Sequence, residues 1–174
     1  MRIAILEDHA RERRLLGLFC RSYFSEHPDL SSDEPALMPY ATADEFLQAW
    51  SQRRFDLVLL DCYLTDDESD VHSLTGLDVA RSLRTCRDDC PIVFITSSSD
   101  FAVLGYAVQA SGYLLKPVNR ADFASMMDRV TATMAQRAPA SALLPSPPGG
   151  KPNAWRVTFG SPPTAMDRRC IVCC

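Results

Sequence analysis

Five polar residues of types that bind metal ions or phosphate stand at the ends of short apolar runs: Glu7, Asp8, Asp61, Thr96 and Lys116. Carboxylates that crowd together repel one another, so three of them in one place are stable only if some are protonated or a cation lies among them. Mg²⁺ prefers a few carboxylate oxygens and completes its shell with water or phosphate. A lysine ammonium and a threonine hydroxyl beside such an ion would bind the oxygens of a phosphoryl group. The residue types therefore predict a magnesium-dependent phosphoryl site, provided that the fold brings them together.

The apolar runs before these residues have the character of buried strands. Residues 2–6, 57–60 and 92–95 are rich in Ile, Val and Leu without polar alternation. This pattern is typical of parallel strands that are buried on both faces of a sheet. Residues 113–115 and the weaker stretch 38–41 are predicted to form two further strands.

Between these strands, apolar residues recur at helical spacing. They are Leu15, Leu16, Phe19 and Tyr23; Phe46, Leu47 and Trp50; Leu77, Ala80 and Leu83; and Phe123, Met127, Val130 and Met134. Thr42 with Glu45, and Asn119, have the positions of helix caps. This repeated alternation predicts an α/β fold with a doubly wound parallel sheet and helices on both faces. The carboxyl ends of its strands meet at one edge, where the polar residues would converge.

The composition is that of a soluble globular protein. The 174 residues are 47% hydrophobic and 23% charged, and the net charge of −4 does not favour nucleic acid or an anionic membrane as a partner. No run is long enough for a signal peptide or a membrane span, which predicts a cytoplasmic protein that binds no membrane. The seven cysteines are odd in number, and Cys20 and Cys62 lie in apolar runs, so free thiols are expected.

The composition changes near residue 138. Seven of the twelve prolines follow that point, and the stretch 145–150 cannot continue a helix. We therefore expect one domain over residues 1–137 and a Pro-rich, disordered tail over residues 138–174. The cysteines at the end of the chain lack the second ligand pair of a zinc site and the position that prenylation requires.

Four short motifs together resemble response-regulator receiver domains, over roughly the first 137 residues. The motifs are Leu6-Glu7-Asp8, Leu59-Leu60-Asp61, Ile95-Thr96-Ser97 and Tyr113-Leu114-Leu115-Lys116-Pro117. The resemblance implies a CheY-like, flavodoxin-like sheet of five parallel strands in the order 2-1-3-4-5. It also implies that the bond between Lys116 and Pro117 is cis, which X-Pro bonds tolerate.

Receiver domains accept a phosphoryl group on an aspartate, which the resemblance places at Asp61. The ligands that it implies for Mg²⁺ are Glu7, Asp8, Asp61 and the backbone carbonyl of Tyr63. It further implies that Thr96 and Lys116 bind the phosphoryl oxygens. The chain would then catalyse its own phosphorylation and dephosphorylation without being a conventional enzyme.

The resemblance also implies a switch and a partner. Phosphate on Asp61 would draw the Thr96 hydroxyl inward and let Tyr113 turn into the vacated space. This movement would alter the surface of the fourth helix, the fifth strand and the fifth helix. A plain core role is the alternative for Tyr113. The implied partner is a histidine kinase or a phosphotransfer protein, and a homodimer through the switched surface is a further option.

Residues 106–110 and 112–118 are similar to receivers of LytTR-type regulators, which carry a second, DNA-binding domain. Residues 138–174 are too few and too rich in proline to form one, so the output domain is missing and a truncated or diverged regulator is one interpretation. Because the tail has only four scattered cations, we expect no specific DNA binding from this chain alone. The acidic loop 65–75 is longer than the corresponding loop in many receivers.

Two other functions share parts of this pattern. Haloacid-dehalogenase-like phosphatases also use an aspartate at a strand end, but they carry a second aspartate two residues later, where this chain has Tyr63. A pseudo-receiver would use the same fold as a protein-binding module without phosphorylation. The chain retains the chemical residues of a receiver, so only an assay separates this second alternative from phosphorylation.

Overall fold

The structure, a computed structural model, describes residues 1–30, 34–64, 74–97 and 105–137. Its strands are β1 (Arg2–Leu6), β2 (Ala36–Tyr40), β3 (Leu57–Leu60), β4 (Ile92–Thr96) and β5 (Gly112–Leu115). Its helices are α1 (Ala10–Glu26), α2 (Ala43–Gln52), α3 (Gly76–Thr85), a helical turn at residues 105–107 (α4) and α5 (Arg120–Arg137), with a 3-10 turn at Pro28–Leu30. Strand and helix therefore alternate as the apolar periodicity predicts.

The five strands form one parallel sheet in the order β2-β1-β3-β4-β5, which confirms the predicted fold class. The prediction for β2 was displaced, because the strand runs over Ala36–Tyr40 rather than residues 38–41. β2 is an edge strand that pairs only with β1 and carries Pro39 in its middle. A strand with one neighbour need not be buried on both sides, so its apolar pattern is weak and its bounds are hard to predict.

The two faces of the sheet are covered by different helices. Side chains of successive strand residues point to opposite faces, so Ala4 and Leu6 join one buried cluster while Ile3 and Ile5 join another. The first cluster is completed by α2 and α3, and the second by α1 and α5. Helices thus lie on both faces, as predicted, and every strand between them ends at the same edge.

Caps fix where several helices begin. The Thr42 side chain accepts a hydrogen bond from the Glu45 amide, and Asn119 caps α5 in the same way. The most complete cap was not among the predicted ones: Thr75 and Asp78 each accept a hydrogen bond from the other's backbone amide. This capping box starts α3 at Gly76, directly beside the carboxyl end of β3.

Several predictions fall outside the described residues: most of the acidic loop, the tail over 138–174 and its cysteines. Among the described cysteines, Cys20, Cys62, Cys86 and Cys90 are free thiols. None of the described helices combines the length and the hydrophobicity that a bilayer crossing requires.

Candidate functional site

Hydrogen bonds between strands fix the backbone of the polar residues at the carboxyl edge. The amide of Glu7 continues the ladder between β1 and β2, with an N···O distance of 3.2 Å. The amide of Asp61 donates to a β1 carbonyl at 2.9 Å, and that of Lys116 to a β4 carbonyl at 2.8 Å. Each functional side chain therefore starts one residue beyond its strand, from a backbone that the sheet holds in place.

These positions bring one ammonium group among three carboxylates. Lys116 Nζ lies 2.6 Å from Asp61 Oδ2, 2.8 Å from Glu7 Oε2 and 2.5 Å from Glu12 Oε2. Glu7 and Asp61 are buried, whereas the Glu12 side chain on α1 is 43% exposed. We call these four residues the Lys116 cluster.

Burial and charge oppose each other in the Lys116 cluster. Burial raises the pKa of Glu7 to about 7, an effect that Lys116 opposes and Asp61 reinforces. Burial likewise raises the pKa of Asp61, against the neighbouring ammonium group. For Lys116, burial alone would lower the pKa, but the three carboxylates outweigh it and raise the pKa above its ordinary value. The cluster is therefore short of positive charge.

The raised pKa of Glu7 predicts a pH dependence of stability in the metal-free protein. The folded pKa of about 7 exceeds the ordinary 4.5, so the favourable contribution of Glu7 is complete below about pH 4.5 and is lost as the pH rises through 7. Glu7→Gln should therefore become more stable relative to wild type by about 2 kcal/mol between pH 5 and pH 8. Urea unfolding in EDTA measures the difference, and a difference that does not change with pH would contradict the shift.

The carboxylate oxygens suit a divalent cation. Glu7 Oε2 is fully buried, and among the described residues it forms an ion pair with Lys116 Nζ at 2.8 Å but no hydrogen bond of good geometry. Glu7, Asp8 and His9 each present a ligand atom, and these atoms lie within 4.8 Å of one another. His9 Nδ1 is 2.9 Å from Asp8 Oδ1, so this ring contacts the same carboxylate. Because Mg²⁺ favours oxygen ligands, the acidic side chains fit that ion better than the imidazole does.

The second oxygen of Asp61 is held by the chain that follows it. The amide of Tyr63 donates to Asp61 Oδ1 at 3.1 Å. Behind the carboxylate, the start of α3 packs against the Asp61 backbone so closely that a Cβ on Gly76 would lie 1.9 Å from the Asp61 carbonyl oxygen. The Gly76 amide donates to the Cys62 carbonyl at 3.0 Å. Only glycine permits this approach, so Gly76 sets where Asp61 sits.

Gly76→Ala is expected to destabilise the protein by roughly 2–3 kcal/mol, because the new methyl group meets backbone rather than a side chain that can move. Gly17→Ala is the matched control. A Cβ at Gly17 would meet only a Leu37 methyl group at 3.8 Å, so inside α1 it should stabilise by up to about 1 kcal/mol. Chemical denaturation compares the two variants, and equal effects would refute the close approach.

Thr96 and Tyr113 lie outside the Lys116 cluster. Thr96 is fully buried, and its side chain lies beside the thiol of Cys62, the residue after Asp61. Burial raises the pKa of that thiol to about 12. Tyr113 is half-buried on β5 and packs against the cluster that α2 and α3 cover. The Lys116–Pro117 bond is cis, as the resemblance implies.

Two residues on α1 that were not predicted from the sequence also reach the site. Besides Glu12, Arg13 donates from its guanidinium to the backbone carbonyls of Glu7 and Asp8, the latter at 2.9 Å. These contacts brace the loop that carries the acidic pair. One signal could have revealed both residues: a helix that starts two residues after the acidic pair places its first turn over the same sheet edge.

Known proteins are similar to this chain in sequence. The family described as response regulator receiver domain matches residues 3–128. The sensory transduction protein LytT of Enterococcus faecalis is 26% identical over 142 residues, which cover 80% of this chain and 51% of that protein. The positive alginate biosynthesis regulatory protein of Pseudomonas aeruginosa is 33% identical over 156 residues, which cover 86% of this chain and 54% of that protein. The chain spans about half the length of the curated relatives it matches.

Solved structures share the fold. The response regulatory domain of protein mrkE from Klebsiella pneumoniae matches with a TM-score of 0.64 at 20% identity, covering 79% of this chain and 100% of that one. The N-terminal domain of a response regulator from Carboxydothermus hydrogenoformans matches with a TM-score of 0.62 at 18% identity, covering 78% and 98%. LytT and the LytR proteins of Staphylococcus aureus confirm the resemblance to receivers of LytTR-type regulators. With its family match extending over well more than half of its length, this chain belongs to the response-regulator receiver domain family.

Proposed function

We propose that this receiver accepts a phosphoryl group on Asp61 from a histidine kinase or a phosphotransfer protein, and so acts in a two-component phosphorelay. The observation that carries the proposal is the Lys116 cluster. A buried carboxylate at the sheet edge, that of Asp61, lies 2.6 Å from an ammonium group, and a second buried carboxylate, that of Glu7, lies 2.8 Å from the same nitrogen. A nucleophile, a cation for phosphoryl oxygens and ligands for a metal ion are thereby together.

In the proposed reaction, an oxygen of Asp61 forms a bond to phosphorus while the P–N bond of the donor phosphohistidine breaks. The imidazole leaves with that electron pair and takes up a proton from solvent. Lys116 favours the ionised form of Asp61, opposing the burial that raises the pKa of this carboxyl group, and is positioned to donate to the phosphoryl oxygens. Because an ionised carboxylate is already a nucleophile, no side chain has to act as a base.

We propose that Glu7, Asp8 and Asp61 hold Mg²⁺ in this state, with the Tyr63 carbonyl as a further ligand. When bound, the ion would neutralise charge that develops on the equatorial phosphoryl oxygens. Three carboxylates around one ammonium group leave a charge deficit that a divalent cation would correct. The Glu7 oxygen that forms the ion pair with Lys116 supports this assignment, because it is buried and receives no hydrogen bond of good geometry among the described residues.

The output is proposed to depend on Thr96 and Tyr113. The Thr96 side chain is buried beside Cys62, the residue after Asp61, and a phosphoryl group on Asp61 would draw its hydroxyl towards the phosphoryl oxygens. Tyr113 is half-buried on β5, so a change of its rotamer would alter the surface beside this strand. We propose that these movements of Thr96 and Tyr113 couple phosphorylation of Asp61 to the surface of α4, β5 and α5. Through this surface the chain would contact a protein partner or a second copy rather than DNA. Tyr106 (89%) and Leu115 (49%) are exposed there.

The test is incubation of the chain with Mg²⁺ and acetyl phosphate, followed by intact mass spectrometry. Uptake of one phosphoryl group is expected with Mg²⁺, and none is expected in excess EDTA. A chain that takes up no phosphoryl group from acetyl phosphate or from a phosphorylated kinase would instead be a pseudo-receiver.

A further inference from the structure

Lys116 is engaged by one more carboxylate than the proposed chemistry requires. Glu7 and Asp61 belong to the proposed metal and phosphoryl site, but Glu12 comes from the first turn of α1 and has no part in it. Its Oε2 atom is nonetheless 2.5 Å from Lys116 Nζ, as close as any other partner. An ammonium group has three hydrogens, and here three carboxylates lie around it.

The three ion pairs differ in how easily they can be exchanged. The side chains of Glu7 and Asp61 are almost fully buried, and neither can move into solvent from its place at a strand end. The Glu12 side chain is 43% exposed and lines a surface pocket of about 240 Å³ together with Arg11 and Leu15. Glu12 can therefore leave Lys116 and be hydrated at lower cost than Glu7 or Asp61, since its side chain is already partly exposed to solvent.

A phosphoryl group on Asp61 needs a hydrogen bond from Lys116 Nζ, the nitrogen that Glu12 contacts. We infer that Glu12 is a positioning residue that occupies Lys116 in the unphosphorylated protein and competes with the incoming phosphoryl group for it. This inference rests on the proposed function of Asp61. Release of Glu12 from Lys116 is then part of the phosphorylation step, and the carboxylate restrains uptake from anionic phosphoryl donors.

The same contact has an opposite effect on metal binding. While Glu12 holds Lys116, it offsets the positive charge that would otherwise repel Mg²⁺ from Glu7 and Asp61. Removing the Glu12 charge should therefore weaken Mg²⁺ binding and strengthen the binding of an anionic donor. Loss of folding would weaken the binding of Mg²⁺ and of the donor alike. Opposite changes in the two affinities therefore distinguish a positioning role of Glu12 from a structural one.

The experiment compares Glu12→Gln with Glu34→Gln in the full chain. Glu34 is an exposed residue paired with Arg21, and it precedes β2 at the opposite edge of the sheet, so its removal changes the net charge equally but leaves Lys116 alone. Two quantities are measured: the Mg²⁺ concentration for half-saturation without donor, and the dependence of the phosphorylation rate on acetyl phosphate concentration in saturating Mg²⁺.

For Glu12→Gln we expect the acetyl phosphate concentration for half-saturation to be roughly two- to fivefold lower than for wild type. The Mg²⁺ concentration for half-saturation should be higher by a similar factor. Changes of this size correspond to the loss of one partly exposed ion pair. Glu34→Gln should match wild type in both. Equal behaviour of the two variants, or a Glu12→Gln variant phosphorylated more slowly than wild type, overturns the inference while the function of Asp61 stands. A wild-type chain that takes up no phosphoryl group overturns the proposed function and this inference with it.

Discussion

Asp61→Asn is expected to take up no phosphoryl group under conditions in which the wild-type chain is stoichiometrically phosphorylated. The amide removes the ionised oxygen that attacks phosphorus but keeps the shape of the side chain. Its oxygen can still accept the hydrogen bond from the Tyr63 amide. Intact mass after incubation with acetyl phosphate and Mg²⁺ measures the loss, which should be complete because no neighbouring group replaces a nucleophile.

The matched control is Asp56→Asn. Asp56 lies at the other end of β3, where its carboxylate accepts a hydrogen bond from the Arg2 amide. This variant changes the same chemical group on the same strand but at the opposite edge of the sheet, so it should be phosphorylated like wild type. A phosphoryl group retained by Asp61→Asn would show that another residue is the acceptor.

Lys116→Ala should destabilise the metal-free protein by about 3 kcal/mol at pH 8, because removing one partner of a buried ion pair leaves the other charge uncompensated. Among the described residues, no other lysine or arginine side chain pairs with Glu7 or Asp61. Protonation of either carboxyl group limits the penalty, so the loss should shrink as the pH falls towards 5. Urea unfolding in EDTA at the two pH values measures it.

Mg²⁺ provides the second half of this prediction. A cation bound at Glu7, Asp8 and Asp61 replaces part of the missing charge, so it should restore more stability to Lys116→Ala than to wild type. Arg21→Ala is the control, since its ion pair with Glu34 is more than half exposed and should be worth under about 1 kcal/mol. An equal cost for the two substitutions in EDTA would show that Lys116 does not compensate buried charge.

These predictions give Lys116 a role in the unphosphorylated protein as well as in the binding of a phosphoryl group. From the sequence it was a cation for phosphoryl oxygens alone. The structure makes it the counter-charge for two buried carboxylates and, through Glu12, for a third. Any phosphoryl group that arrives must compete for a lysine that is already fully engaged.

The apolar runs determined the fold by themselves. Uninterrupted Ile, Val and Leu stretches such as Leu57–Leu60 are buried on both faces only inside a parallel sheet, and helical periodicity between them requires crossovers. That logic also put Glu7, Asp61 and Lys116 at one edge, since strands of a parallel sheet end on the same side. It weakened at β2, where the edge of the sheet removes the requirement for burial.

Tertiary structure alone decided what surrounds those side chains. Glu12 reaches Lys116, and Gly76 meets the Asp61 carbonyl, because of the positions in which α1 and α3 dock against the sheet. Periodicity identifies the buried face of a helix but not the depth or rotation at which it docks, because these depend on side-chain packing with residues elsewhere in the chain. Burial has the same origin. The sequence does not show whether a glutamate that follows a strand is solvated or buried. It is burial in the folded protein that raises the pKa of Glu7 to about 7.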